Sequence, residues 1–346
     1  MISMTVLMFA IMILLLLLGY PLMVPLLMGC VAAFFLFFDN LDPIIIIQQM
    51  IGGIKPTALI AVPMFILAAE IMTRGRTANS LLDLVESFVG HLKGGLPITA
   101  AMSCTLFGAI SGSTQATVVA IGQPLRPKLM KNGFSDKFAT ALIINSSDIA
   151  LLIPPSIGLI VYGVVSGTSI GDLFIGGIMP GLLILAFFCI YSWWVAKSEN
   201  IPTLDKSNWS TRFQLLKKAS LPLGFPFIII GGIYGGFFSP VEAAALSVLY
   251  ALILEVLIFK DLKLSDMGPI ALATGLTTAV VFILVAAGAA FSWVISYAQL
   301  PQLLINETLG ITAASGTYTI LVSMCVAYFI GCMFVDPIVV ILILAP

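Results

Sequence analysis

Charge is what this sequence has least of. Asp, Glu, Lys and Arg make up 9% of its 346 residues and hydrophobic residues 60%, which leaves too little polar surface to cover a soluble globule of that size. Unpaired peptide groups are costly in lipid, so long apolar runs imply helices, and the chain reads as an all-α polytopic membrane protein. Histidine is nearly missing as well, with His91 alone. The five cysteines (Cys30, Cys104, Cys189, Cys325, Cys332) lie in apolar segments without paired ligand spacing, which argues against a zinc site or a disulfide framework. No basic patch is present for nucleic acid. Met1 to Phe38 lacks a positive start and a small-residue cleavage site, so it reads as two short uncleaved spans around Gly19-Tyr20-Pro21 rather than as a signal peptide. Intramembrane enzymes need a nucleophile with a base. Ser111 or Ser113 offers the first, but His91 falls in a predicted loop and no lysine in the predicted core, so the chain is read as not an enzyme and as needing no cofactor.

The few charges map the topology. All the lysines and arginines except Lys55 fall in windows 73–95, 122–137, 196–218 and 260–268, whereas the loops near 39–54, 163–172, 234–242 and 299–312 carry only the acids Asp39, Asp42, Asp172, Glu242 and Glu307. The positive-inside rule assigns the basic windows to the cytoplasm and the acidic loops to the outside, and this makes the N-terminus periplasmic. Windows 73–95 and 122–137 then share a side although one apolar segment, 96–122, separates them. At about 20 residues per crossing that segment is short for two spans, so it reads as a re-entrant hairpin with "GAISGSTQAT" (108–117) at its tip. Gly108 and Gly112 would let the chain turn, and Ser111, Ser113 and Thr114 would supply oxygens near a helix N-terminus. A single helix packing a Gly/Ser/Ala face is the alternative. Residues 138–162, "FATALIINSSDIALLIPPSIGLIVY", form an apolar span broken by Pro154-Pro155, since two prolines remove two backbone donors and clash with the preceding turn.

Segment 277–346 repeats the layout of 54–123: an apolar helix, an amphipathic connection, then an apolar stretch with Gly331 near its centre and Asp336 five residues on. By the charge map the two copies run in opposite directions. Inverted repeats with hairpins and broken helices describe a secondary transporter whose site lies near the bilayer midplane. The divisions are therefore 1–55 as N-terminal scaffold helices and 56–195 as the first repeat, with the hairpin at about 96–122 and the broken helix at about 138–162. Residues 196–218 form a cytoplasmic linker, 219–268 further scaffold helices, and 269–346 a second repeat expected to be cut within its hairpin.

At "FGAISGSTQATVVAIG" (107–122), "LLIPPSIGLIVYG" (151–163), "GGIMPGLL" (176–183) and "GCMFVD" (331–336) the chain resembles the large membrane subunit of the tripartite ATP-independent periplasmic (TRAP) transporters. The resemblance implies an inverted-repeat elevator in the bacterial inner membrane, driven by Na+, with a small four-helix membrane subunit and a periplasmic substrate-binding protein as partners. It implies an organic acid anion as cargo, of the C4-dicarboxylate, sugar acid or sialic acid class. Carried over by motif, it assigns cation binding to Ser111, Gly112 and Ser113 at the tip, to Pro154, Pro155 and Ser156 at the break, and to Asp336 in the second hairpin. Asn145 to Asp148 is more polar than the small-residue stretch expected before the break. Thr114, Asn145 and Asp148 are accordingly assigned to the substrate path, with simple ion pairing open for Asp148.

Hydroxyls and freed carbonyls hold Na+ without titrating, which favours Na+ over the proton; a proton-coupled version would use Asp148 and Asp336. Glu70 and Glu255 read as interfacial partners of Arg74 and Lys260. With no Lys or Arg in the predicted core, helix N-termini and Ser/Thr/Asn donors meet the substrate anion, so binding by this subunit alone should be weaker than micromolar. The competing readings are a self-sufficient Na+- or H+-coupled anion symporter and a channel. The topology is testable by thiol labelling: cysteines placed at Lys93 and Lys131 should react from the same face of the membrane, and labelling from opposite faces would exclude the hairpin.

Overall fold

A computed structural model describes residues 2–38, 41–298, 317–334 and 337–345. Among the described residues the chain is helical throughout, without a strand. Five helical stretches are long and apolar enough to cross a membrane: Thr57–Arg74, Ile170–Ser198, Trp209–Tyr234, Pro240–Ile258 and Leu264–Tyr297. The chain divides into two compact units, one of Met1–Leu59, Val164–Gly167 and Ala279–Pro346, the other of Ile60–Gly163 and Thr168–Thr278.

In the first unit, α1 (Ile2–Leu17) and α2 (Met23–Phe37) are the two short helices expected, turned at Gly19. Met4, Met8 and Met12 recur every fourth residue and so share one face of α1. That face joins Leu26 and Cys30 of α2 and Phe291 and Val294 of the long helix Met267–Tyr297 in one buried cluster. α3 (Ile44–Ile54) adds Ile46 to a neighbouring cluster with Phe34 and Ala290. Thr317–Phe334 and Pro337–Leu344 pack on each other, with Gly331 against Val340. Asp336 lies outside the described residues.

The second unit carries the two motifs of greatest interest. α4 (Ala61–Arg74), α5 (Thr77–Val89), α6 (Gly95–Ser111), α7 (Thr114–Lys131), α8 (Asp136–Ser147), α9 (Ile157–Ser166), α10 (Ile170–Ser198), α11 (Trp209–Tyr234) and α12 (Pro240–Leu252) follow in order, and α13 is Met267–Tyr297. α6 has no charged residue and is buried along almost its whole length, because α5, α7, α8 and α10 all pack against it. The stretch expected as the linker divides into a non-helical segment, 199–208, and the start of α11. Trp209 there is exposed, and Lys197 lies over the Trp193 ring at 4.9 Å, as befits interfacial anchors.

The four basic windows meet at α5. Arg76 at its start pairs with Asp261 at 2.8 Å. Glu86 near its end takes Lys128 of α7. Arg212 of α11 is buried, donates from Nε to the Ser87 carbonyl at 3.0 Å, and lies over the Phe88 and Trp209 rings. Residues of windows 122–137, 196–218 and 260–268 therefore all contact α5 or its first residues, which lie in window 73–95. The Arg126 fork grips Asp136 at 2.8 and 3.0 Å across the turn from α7 to α8, and holds that exposed carboxyl below the usual carboxylate range.

Of the two glutamates expected as interfacial ion pairs, Glu70 does face Arg74, at 3.6 Å. Glu255 does not follow: it is fully buried in a π-helical turn, Ile253–Ile258, and accepts from Arg76 N at 3.1 Å, Thr77 N at 3.3 Å and the Thr77 hydroxyl. A carboxylate at a helix N-terminus is favoured by the amides and dipole there, and this one fastens α5 to the end of α12. Gly75 leaves the room, since a Cβ at that position would strike the Glu255 carboxylate. Glu255→Ala strands these donors in the interior and should cost about 2–3 kcal/mol, read as a lower melting temperature of the detergent-solubilised protein, with Glu255→Gln recovering most of it. Equal melting of Glu255→Ala and the parent would refute the clasp.

Candidate functional site

The hairpin turns at two residues. α6 ends at Ser111, Gly112 adopts the left-handed conformation (φ +59), and Ser113 caps α7, its hydroxyl accepting from Ala116 N at 3.5 Å. The two helices pack on each other from this turn back. Gly108, expected to help the chain turn, lies inside α6 instead; its missing side chain makes room for the backbone of Ala150. Inside the tip, the Ser111 hydroxyl is shared with Thr117 Oγ1 at 2.9 Å and accepts from Ser113 N at 3.3 Å. Thr117 Oγ1 also donates to the Ser113 carbonyl at 2.8 Å. Thr114 Oγ1 is buried without a hydrogen-bond partner among the described residues.

The break in the second motif can be accounted for bond by bond. α8 ends at Ser147, a 3₁₀ turn covers Asp148–Leu151, and α9 starts at Ile157. In an unbroken helix the amides of residues 154 and 155 would serve the carbonyls of Ala150 and Leu151, and proline has none to give. Ser156 substitutes for one: its hydroxyl donates to the Leu151 carbonyl at 2.6 Å and accepts from Leu159 N at 3.2 Å, so it also caps α9. The amide of Ile157, which would close onto Ile153, donates instead to the Gly112 carbonyl at 3.4 Å.

That last bond joins the two motifs. The tip of the hairpin sits directly on the break, and a Cβ on Gly112 would collide with the Pro155 carbonyl oxygen. α10 closes the other side: a Cβ on Gly177 would collide with the Leu152 carbonyl, and Gly181 meets the Ile153 side chain. The "GGIMPGLL" motif is thus the surface on which the broken backbone rests. Two helix N-termini, those of α7 and α9, and the ends of α6 and of the 3₁₀ turn come together here. N-termini attract anions and freed carbonyls attract cations, so the junction can hold both kinds of charge.

Of the residues expected in the cation site, Ser111, Gly112 and Ser113 are brought together with Pro154, Pro155 and Ser156. Ser111, Gly112, Pro154, Pro155 and Ser156 are buried; Ser113 is half-buried. In the expected substrate path, Thr114 belongs to the tip. Asn145 is exposed and donates to the Ala141 carbonyl of its own helix at 2.7 Å, while Asp148 opens the 3₁₀ turn with its side chain exposed. Sequence reading passed over Thr117, which the fold places on Ser111. Its signal was the spacing of four residues from Ser113, one helical turn on the same face. Ser146 was passed over too; its hydroxyl is buried without a hydrogen-bond partner among the described residues.

Comparison with known proteins bears on the same residues. Residues 9–346 match the family described as "Tripartite ATP-independent periplasmic transporter, DctM component". The ectoine TRAP transporter large permease protein TeaC of Halomonas elongata is 60% identical over 99% of this chain and 80% of its own length. The ectoine/5-hydroxyectoine large permease protein UehC of Ruegeria pomeroyi is 58% identical over 98% of this chain and 79% of its own. The C4-dicarboxylate large permease protein DctM of Rhodobacter capsulatus is 32% identical, again over 98% of this chain and 79% of its own length. A hairpin tip seated on a Pro-Pro break, in a chain matched nearly end to end, identifies this polytopic membrane protein as a member of the TRAP transporter large permease family.

Proposed function

We propose that this chain is the permease subunit of a binding-protein-dependent importer of ectoine or 5-hydroxyectoine in the bacterial inner membrane, driven by Na+ symport. The observation that carries the transport reading is the seating of Gly112 on Pro155, where two helix N-termini meet backbone oxygens released from helical bonding. The substrate reading is carried by identity along the whole chain: 60% and 58% to the two ectoine permeases against 32% to the C4-dicarboxylate permease. It replaces the dicarboxylate, sugar acid and sialic acid classes expected from the family at large.

In this reading the hairpin α6–α7 dips into the bilayer without crossing it, and Na+ is held at the junction by hydroxyl and carbonyl oxygens of Ser111, Ser113 and the break. The Thr114 hydroxyl, buried without a hydrogen-bond partner among the described residues, is a further candidate ligand. Prolines 154 and 155 contribute by freeing carbonyls rather than by their own side chains. Ser156 serves the site as the residue that fixes the break, because its hydroxyl is already engaged at both ends. Substrate and ion move together as the hairpin and broken helix slide as an elevator. A small four-helix membrane subunit and a periplasmic binding protein complete the transporter, and the N-terminus faces the periplasm.

In proteoliposomes containing the permease with its small subunit, ectoine uptake from liganded binding protein should require an inward Na+ gradient and saturate. Gly112→Ala forces a side chain into the Pro155 carbonyl and a left-handed backbone, and should lower uptake by about tenfold or more. Ser113→Ala removes the α7 cap, at about 1 kcal/mol, and should raise the Na+ concentration needed for half-maximal rate. Wild-type rates in both variants would remove the site; uptake without binding protein would favour the self-sufficient symporter.

A further inference from the structure

The transport reading gives Thr117 no role, yet its hydroxyl is the best-connected one in the hairpin tip. Threonines in membrane helices often return their hydroxyl to the carbonyl one turn back. Thr99 and Thr105 do so in α6, and Thr117 does so in α7, donating to the Ser113 carbonyl at 2.8 Å. That bond alone would be a matter of helix structure. The second contact is of another kind: Thr117 Oγ1 lies 2.9 Å from Ser111 Oγ, a hydroxyl on the far side of the Gly112 turn. Both residues are fully buried.

Counting donors and acceptors fixes the polarity of this pair. Each hydroxyl brings one proton and two lone pairs. The Ser113 carbonyl already receives Thr117 N at 3.1 Å, which leaves it one lone pair. Either Thr117 fills it at 2.8 Å while Ser111 donates to Thr117, or Ser111 fills it at 3.2 Å while Thr117 donates to Ser111. The shorter distances favour the first arrangement. In both, the two protons are used inside the triangle. Of the four lone pairs, one takes the Ser113 amide at 3.3 Å and one takes the bond between the hydroxyls. Two lone pairs remain and no proton does, and in the favoured arrangement one of the two is on Ser111. The pair can therefore accept and cannot donate, a polarity that suits a cation and disfavours a carboxylate.

We propose that Thr117 is a positioning residue of the cation site: it takes the proton of the Ser111 hydroxyl and so keeps that oxygen turned, lone pair outward, for Na+. The assignment rests on the Na+ reading above and adds to it the residue that orients a ligand without being one. Groups that orient the ligands of a metal ion set its affinity nearly as strongly as the ligands do. Without the Thr117 hydroxyl, Ser111 keeps only the longer bond to the Ser113 carbonyl for its proton, and nothing holds that proton away from the ion. The rival roles are a plain helix bond to Ser113, which would act on stability alone, and direct ligation by Thr117, which would act independently of Ser111.

The test uses the intact permease with its small subunit and liganded binding protein, in proteoliposomes for uptake and in detergent for melting with Na+ or choline. Thr117→Val keeps the shape and removes the hydroxyl. It should raise the Na+ concentration for half-maximal ectoine uptake on the order of tenfold, while half-saturation by ectoine at saturating Na+ stays within about twofold of wild type. Thr117→Ser restores the hydroxyl and should return both to within about twofold. In a Ser111→Ala background, Thr117→Val should add less than about twofold to the Na+ requirement, because it acts through Ser111. The Na+-dependent rise in melting temperature reads the same cycle if Ser111→Ala does not transport. Should Thr117→Val not fold, Thr117→Cys, with its weak thiol donor, replaces it and should also raise the Na+ requirement. An unchanged Na+ requirement in the variant lacking the hydroxyl would overturn the assignment, as would a Thr117→Ser defect equal to that of Thr117→Val, or full additivity with Ser111→Ala. A wild type whose uptake and melting ignore Na+ would overturn the Na+ reading itself, an outcome distinct from an indifferent Thr117 in a Na+-dependent wild type.

Discussion

Everything described in the second unit depends on one constraint: a stretch of backbone without helical bonding, 152–156, has to be housed where neither lipid nor bulk water can serve its polar groups. An unpaired peptide group in hydrocarbon costs several kcal/mol. The sequence meets that cost by contact rather than by side-chain chemistry. Gly112 from the hairpin tip and Gly177 from α10 bring main chain to main chain on either side of the break, and the Ser156 hydroxyl repairs the bond that Pro155 forbids. The Ile157 amide, lost to its own helix, crosses to Gly112. Packing and polarity are solved by the same residues, so the junction tolerates little substitution and is also the place where carbonyl oxygens are released from helical bonding.

The surroundings of that junction are held from the opposite end of the unit. α5 is bound at its N-terminus by the Glu255 carboxylate and near its C-terminus by the Arg212 guanidinium, each charge opposite in sign to the helix end it meets. Between them Glu86 reaches Lys128 on α7. One amphipathic helix therefore gathers α7, α11 and the end of α12, and fixes where the hairpin begins and where it returns.

The sequence announced the break and the tip because both are punctuation. Pro154-Pro155 cannot continue a regular helix, and a Gly-Ser pair flanked by small polar residues in an apolar run is a place where a chain can turn. Counting charges on either side of 96–122 led to the expectation of a hairpin there, and α6 and α7 do pack on each other across a turn at Gly112. What could not be read was partnership over distance. Glu255 meets residues 178 and 179 positions away, and its nearest cation in sequence, Lys260, pointed to the wrong pair. Thr117 and the glycines Gly177 and Gly181 of α10 had visible spacing but no visible neighbour. Asp148 stood out by composition, and only the geometry showed that it opens the 3₁₀ turn, exposed between the buried Ser147 and Ile149.

The π-helical turn at Ile253–Ile258 has a consequence of its own. A bulge of this kind amounts to one surplus residue stored in a helix, and one residue is about 100° of rotation. Glu255 faces the start of α5 only because that surplus is in place. An insertion or deletion nearby would leave every side chain in the stretch chemically intact and still swing the carboxylate off the amides of Arg76 and Thr77, so helical phase itself is part of what the gene must preserve.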